Sequence, residues 1–87
     1  MIRVQVPSPL RSYTGERATV EAAGGTVEEL LADLDRRFPG MRFRMIDEQD
    51  RIRQHIRFFV DGELVRQIAH PVRPGQELQI LCALSGG

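Results

Sequence analysis

Gly24-Gly25-Thr26-Val27-Glu28-Glu29-Leu30-Leu31-Ala32-Asp33-Leu34-Asp35-Arg36-Arg37-Phe38-Pro39-Gly40 is the stretch on which the fold turns. Val27, Leu30, Leu31, Leu34 and Phe38 recur at three-to-four spacing and make one apolar face of a helix. Thr26 with Glu29 three residues on has the spacing of a capping box, in which two side chains satisfy each other's free backbone N–H groups. Glu28 and Glu29 fall in the first turn and Arg36-Arg37 in the last, as the helix dipole favours. Gly24-Gly25 breaks what precedes it, and Pro39-Gly40 ends the helix.

On the N-terminal side, Ile2, Val4 and Val6 alternate with Arg3 and Gln5, the period of a half-buried strand. Pro7 and Pro9 stop it, and Leu10 to Glu16 reads as a turn. Ala18, Val20 and Ala22 then alternate as a second strand, so the two form a hairpin. On the C-terminal side, Met41 to Gln54 predicts a short helical turn around Arg42–Ile46 and then a surface loop. Its four arginines, Arg42, Arg44, Arg51 and Arg53, stand beside Asp47, Glu48 and Asp50, and a self-neutralised solvated face is the favoured reading over a basic patch.

Ile56, Phe58 and Val60 give a third strand, Asp61-Gly62 a two-residue hairpin turn, and Glu63 to Val65 a short return strand. Ile68 to Pro71 is irregular. Arg73-Pro74-Gly75-Gln76 is a turn, and Glu77 to about Leu81 the last strand. A lone amphipathic helix must bury its stripe against the sheet, and the first and last strands pair naturally in its middle. The expected fold is therefore α+β: a β-grasp, or ubiquitin-like, mixed sheet of four to five strands packed on one main helix. Residues 1–81 form that domain and 82–87 a flexible tail.

The chain has 87 residues, 41% of them apolar, enough for one core and one domain. Twelve basic and twelve acidic residues cancel, which argues against nucleic-acid binding. No run is apolar over membrane-spanning length and no signal peptide is visible, so a soluble cytoplasmic protein is expected. All twelve basic residues are arginine, so no ε-amine is offered as an acceptor for isopeptide bonds. The single cysteine, Cys82, excludes an internal disulfide and reads as a small packed hydrophobe in preference to a sulfur relay. His55 and His70 lie far apart with no ligand or triad spacing, so neither a metal site nor a catalytic residue is expected.

The end of the chain, Leu81-Cys82-Ala83-Leu84-Ser85-Gly86-Gly87, offers an unhindered carboxylate. Glycine lacks Cβ, so Gly86 and Gly87 suit a terminus threaded through a narrow channel. Small residues are also common at frayed ends, so the tail alone decides little.

Taken in order, Pro7-Ser8-Pro9-Leu10-Arg11 with Thr14-Gly15, Thr26 to Leu31, Phe59-Val60-Asp61-Gly62-Glu63, Arg73 to Leu78 and the Gly86-Gly87 end resemble the small sulfur-carrier family that includes MoaD, ThiS and CysO. The likeness spans essentially the whole chain. Cys82-Ala83 stands where molybdopterin-synthase small subunits carry prolines, and Ile80 to Gly87 looks closer to the CysO-like carriers of cysteine synthesis, with Ser85 in place of their usual alanine.

The resemblance implies a non-enzymatic carrier with no bound cofactor. An E1-like, ATP-using enzyme adenylates Gly87 and exchanges oxygen for sulfur, and the resulting C-terminal thiocarboxylate serves a sulfur-accepting synthase. Gly86 and Ser85 would thread the channel. Ordering each tail residue there costs roughly 1–2 kcal/mol, and burying Leu84 in the partner would return about 1.5–3 kcal/mol. Leu84 is accordingly an anchor, with a place in the last-strand core as the equal alternative; Leu81 is a weaker anchor. Phe58 and Phe59 face opposite sides of their strand: one belongs to the core, the other to the partner-facing sheet surface, with Phe59 the candidate. A ubiquitin-like modifier joined through Gly87, or a plain interaction module, remains open beside the carrier.

Overall fold

In the computed structural model, which describes residues 1–83, the alternating N-terminal stretch forms β1 (Ile2–Gln5), with Ile2, Val4 and Val6 buried and Arg3 exposed. It pairs antiparallel with β2 (Thr19–Ala22), Val4 opposite Val20. The connection is a 3₁₀ helix at Ser8–Thr14 and not the open turn expected for Leu10 to Glu16. Proline at its start supplies the right φ without losing a needed donor. Leu10 is buried, and the buried Thr14 hydroxyl reaches the carbonyls of Arg11 and Arg17 at 3.2 and 2.9 Å. Both hold the segment against the core.

Helix α1 (Val27–Arg37) buries Val27, Leu30, Leu31 and Leu34 completely, each burial contributing about 1.5–3 kcal/mol. Its start departs from the expected capping box in one detail. The Thr26 Oγ1 accepts the Glu29 N–H at 3.1 Å, but the Glu29 carboxylate accepts from Gly25 N–H, at 2.7 Å, one residue earlier than the box requires. The approach at Gly24 explains the bend: a Cβ there would lie 2.7 Å from Glu29 Cβ and 2.9 Å from the Leu30 nitrogen. Two further first-turn amides, Val27 and Glu28, donate to the carbonyls of His70 and Ile68, so the irregular Ile68 to Pro71 stretch is sewn to the helix. Asp33 accepts from Ala23 N–H at 2.9 Å and pairs with Arg36 and Arg37, which ties the helix back to the end of β2.

A five-residue helix, α2 (Met41–Met45), follows, and Met41, Met45 and Ile46 are buried. Next come β3 (Ile56–Val60), the Asp61-Gly62 turn with φ of 47° and 86°, and β4 (Glu63–Val65). The Arg73–Gln76 turn closes with Gln76 N–H on the Arg73 carbonyl at 3.0 Å, Gly75 taking φ +92°. It leads into β5 (Glu77–Cys82). The sheet order is β2-β1-β5-β3-β4, with β1 and β5 parallel at the centre and every other pair antiparallel. This is the expected β-grasp, with the fifth strand formed. Phe58 is the core residue of its pair and Phe59 is half-buried on the opposite face.

Two measurements test these assignments. In urea unfolding, Phe58→Ala should cost about 3–5 kcal/mol and Thr26→Ala about 1 kcal/mol, while Phe59→Ala costs far less than Phe58→Ala. The Asp33 carboxyl is held below its ordinary value, first by the Ala23 N–H and then by the two arginines, against the opposing effect of burial. Its stabilising effect is therefore complete above the ordinary carboxylate pKa and is lost as pH falls through the lowered folded value. Asp33→Asn should flatten that acid limb of the stability profile.

Candidate functional site

The site is built around the end of β5. The β5–β1 ladder stops at Gln79, opposite Gln5, where β1 runs out into Val6 and Pro7. The β5–β3 ladder continues through Ile80, Leu81 and Cys82, opposite Phe58, Arg57 and Ile56. Ala83 N–H then donates to the His55 carbonyl at 2.7 Å. The strand thus runs one residue past the expected Leu81, and the backbone is held up to the last described residue. Leu84, Ser85, Gly86 and Gly87, on which the tail assignments rest, lie outside the described residues.

On the solvent face of the sheet, the row Thr19–Gln5–Gln79–Phe59–Leu64 runs across all five strands by register. One half of this face is polar and internally bonded: Gln5 Nε2 donates to Glu77 at 2.8 Å and Thr19 Oγ1 to Gln5 Oε1 at 3.1 Å. The other half gathers the apolar residues, with the exposed Arg57 opposite Leu81. Leu81 is 41% exposed and Leu64 38%, with half-buried Phe59 opposite Leu64 and diagonal to Leu81 across the β3–β5 ladder. The two expected partner-facing residues, Leu81 and Phe59, therefore share one patch near the end of β5. Leu64 completes it and was missed. The signal lay in the two-residue Asp61-Gly62 turn, which fixes the hairpin register and sets Leu64 against Phe59.

Cys82 is half-buried and packs on the core, in keeping with a small hydrophobe. Burial pushes its thiol up, with Arg44 close enough to pull in the opposite direction. Among the described residues no group of three or more His, Cys, Asp or Glu is placed to hold a metal ion, and no helix is long and apolar enough to cross a membrane.

The expected self-neutralised face is half realised. Arg42 meets Asp50 at 3.2 Å and Arg51 meets Asp47 at 3.6 Å. Arg53 instead donates from Nε to the Phe43 carbonyl at 2.7 Å and lies over the Phe43 ring.

Comparison with known proteins finds the ThiS family over residues 4–87. The sulfur carrier protein CysO of Mycobacterium tuberculosis is 29% identical over 91 residues, covering 99% of this chain and 98% of that protein. Among solved structures, a chain of the Amycolatopsis orientalis BexX/CysO complex superposes with a TM-score of 0.93 at 34% identity, covering 100% of both chains. The crystal structure of M. tuberculosis CysO gives 0.92 at 27% identity, over 97% of this chain and 100% of that one. The small archaeal modifier protein 1 of Methanosarcina acetivorans gives 0.82 at 20% identity, over 99% and 95% of the two chains, a likeness of fold alone.

The Cys82 environment makes a direct prediction. Alkylation by iodoacetamide near neutral pH should be slower for the folded chain than for the urea-unfolded one, and should accelerate only as pH passes the ordinary thiol value. Fast labelling of the folded chain at neutral pH would contradict the packed-hydrophobe assignment.

Proposed function

The chain belongs to the ThiS family, and on that premise we propose that it is a sulfur carrier whose Gly87 carboxylate is adenylated and converted to a thiocarboxylate. The observation that carries the reading is a family match over nearly the whole chain, joined to a backbone hydrogen-bonded to the sheet as far as Ala83 and to the Leu84-Ser85-Gly86-Gly87 sequence that follows it. The protein is a carrier and not a catalyst: its part is to be recognised and to present its end.

The chemistry proceeds in two displacements on an E1-like activating enzyme. A Gly87 carboxylate oxygen attacks the α-phosphorus of ATP, and pyrophosphate leaves. A sulfide or persulfide sulfur supplied by that enzyme then attacks the acyl carbon and AMP leaves; where the donor is a persulfide, a partner thiol cleaves the S–S bond and a disulfide is formed. The result is a thiocarboxylate, ionised at neutral pH and nucleophilic at sulfur. ATP is consumed by the partner and the carrier holds no cofactor.

Gly86 and Ser85 pass through the channel with little steric demand. Leu84 is the anchor nearest the reacting end, and the Phe59–Leu64–Leu81 patch is the apolar surface against which the partner seats. The similarity to CysO and the approach to the tail, with Cys82-Ala83 in place of prolines, favour a synthase that makes cysteine as the sulfur acceptor over molybdopterin assembly. The work is done in the cytoplasm, where ATP is at hand.

Intact mass spectrometry of the protein from its own cells tests this reading. A thiocarboxylate fraction heavier by one sulfur-for-oxygen exchange is expected. Its absence, together with branched Gly-Gly remnants on lysines of other proteins, would overturn the carrier reading in favour of a modifier. Deleting Gly87, or replacing Gly86 by Trp, should abolish adenylation while leaving the urea unfolding curve unchanged; adenylation of the Trp variant at the normal rate would refute the channel argument.

A further inference from the structure

Two of the four arginines in the α2 segment have no carboxylate at salt-bridge distance among the described residues. Arg42 and Arg51 are paired locally, whereas Arg44 and Arg53 are not. The Arg53 guanidinium sits 4.5 Å from the Phe43 ring centroid, on a ring that is 57% exposed. Phe43 lies on the solvent side of α2, opposite the buried Met41 and Met45, so the core gives no reason for an aromatic there. Phe43, Arg44, Arg53 and His55 line one shallow groove in which Glu48 is the single acid.

This groove adjoins the root of the tail. The His55 carbonyl holds the Ala83 N–H, and Arg44 is close enough to Cys82 to act on its thiol. Cys82 packs toward the core while Leu81 faces solvent, so the groove and the Phe59–Leu64–Leu81 patch lie on opposite sides of the departing strand.

We propose that the Phe43–Arg53 groove is a second docking surface, complementary to an acidic patch on the enzyme that activates Gly87; this rests on the carrier reading above. Charge selects the occupant: two arginines against one glutamate leave the groove net positive in a chain of zero net charge. The aromatic ring fixes the plane of one guanidinium, which lowers the entropy lost when its remaining N–H donors meet a carboxylate. Exposed aromatics and arginines are the residue types enriched at interface hot spots. A partner gripping both sides of the root sets the direction in which the tail enters its channel.

The test is ATP–pyrophosphate exchange by the activating enzyme, purified from the source cells by the exchange that this chain elicits. The double variant Arg44→Glu, Arg53→Glu should raise the KM for the chain about tenfold or more with kcat unchanged. The wild-type KM should climb with added NaCl and that of the variant should not. Arg51→Glu, on an arginine already paired with Asp47, should leave both constants alone. Phe43→Ala, which keeps the charges, provides a milder variant should the double reversal unfold, and a raised KM is expected there too.

Exchange with unchanged KM in these variants, or an equal rise in Arg51→Glu, overturns the second surface while the carrier reading stands. Unchanged exchange with weakened sulfur delivery to the acceptor overturns it in favour of that enzyme. No exchange with the wild-type chain removes the carrier reading and this proposal with it.

Discussion

The parallel pairing of the first strand with the last is the constraint on which the rest of the molecule depends. Arg3, Val4 and Gln5 meet Glu77, Leu78 and Gln79 across nearly the whole length of the chain. Parallel neighbours need a crossover between them, and here the crossover contains the hairpin return, α1, α2 and the β3–β4 hairpin. The ladder therefore joins residues that the whole of that crossover separates in sequence. Its reward is local: β5 lies in the middle of the sheet, paired on both sides, and carries the chain to the last described residues.

That placement also divides the exposed sheet face. Near the start of β5 the side chains bond to one another through Thr19, Gln5 and Glu77, which leaves them little to offer a partner. Near its end the same face turns apolar, where Leu81 stands beside Arg57 and Phe59 beside Leu64. Exposed apolar groups gathered at one spot mark an interaction surface more reliably than any one of them alone. The division falls where β1 ends: Gln79 is the last residue of β5 with a partner on β1.

Much of this was legible in the sequence, for identifiable reasons. Period-two and period-three-to-four apolar patterns located the strands and α1, because both faces of those elements meet such different surroundings. Phe58 shares its face with Ile56 and Val60 and Phe59 shares its face with Arg57, and the structure buries the first set and leaves Phe59, the candidate for the outer face, half-buried. The 3₁₀ helix at Ser8–Thr14 escaped because its proline, two serines and threonine are equally the residues of a turn. Glu29 reaching Gly25 and not Thr26 depends on the close passage of Gly24, a tertiary fact. In the α2 segment, charge counting foretold neutralisation; geometry granted it to Arg42 and Arg51 and gave Arg53 an aromatic ring instead.

The start of α1 bears on who handles phosphate. Helix N-termini bind phosphoryl groups through free amides and a positive dipole end. Here the amides of Val27, Glu28 and Glu29 are already taken by the His70 carbonyl, the Ile68 carbonyl and the Thr26 hydroxyl, and Glu28 and Glu29 add negative charge at the same spot. The longest helix among the described residues is thus closed to nucleotides by its own loop. On the reading proposed above, triphosphate recognition falls to the activating enzyme, because the start of α1 has no free amide to offer a phosphate.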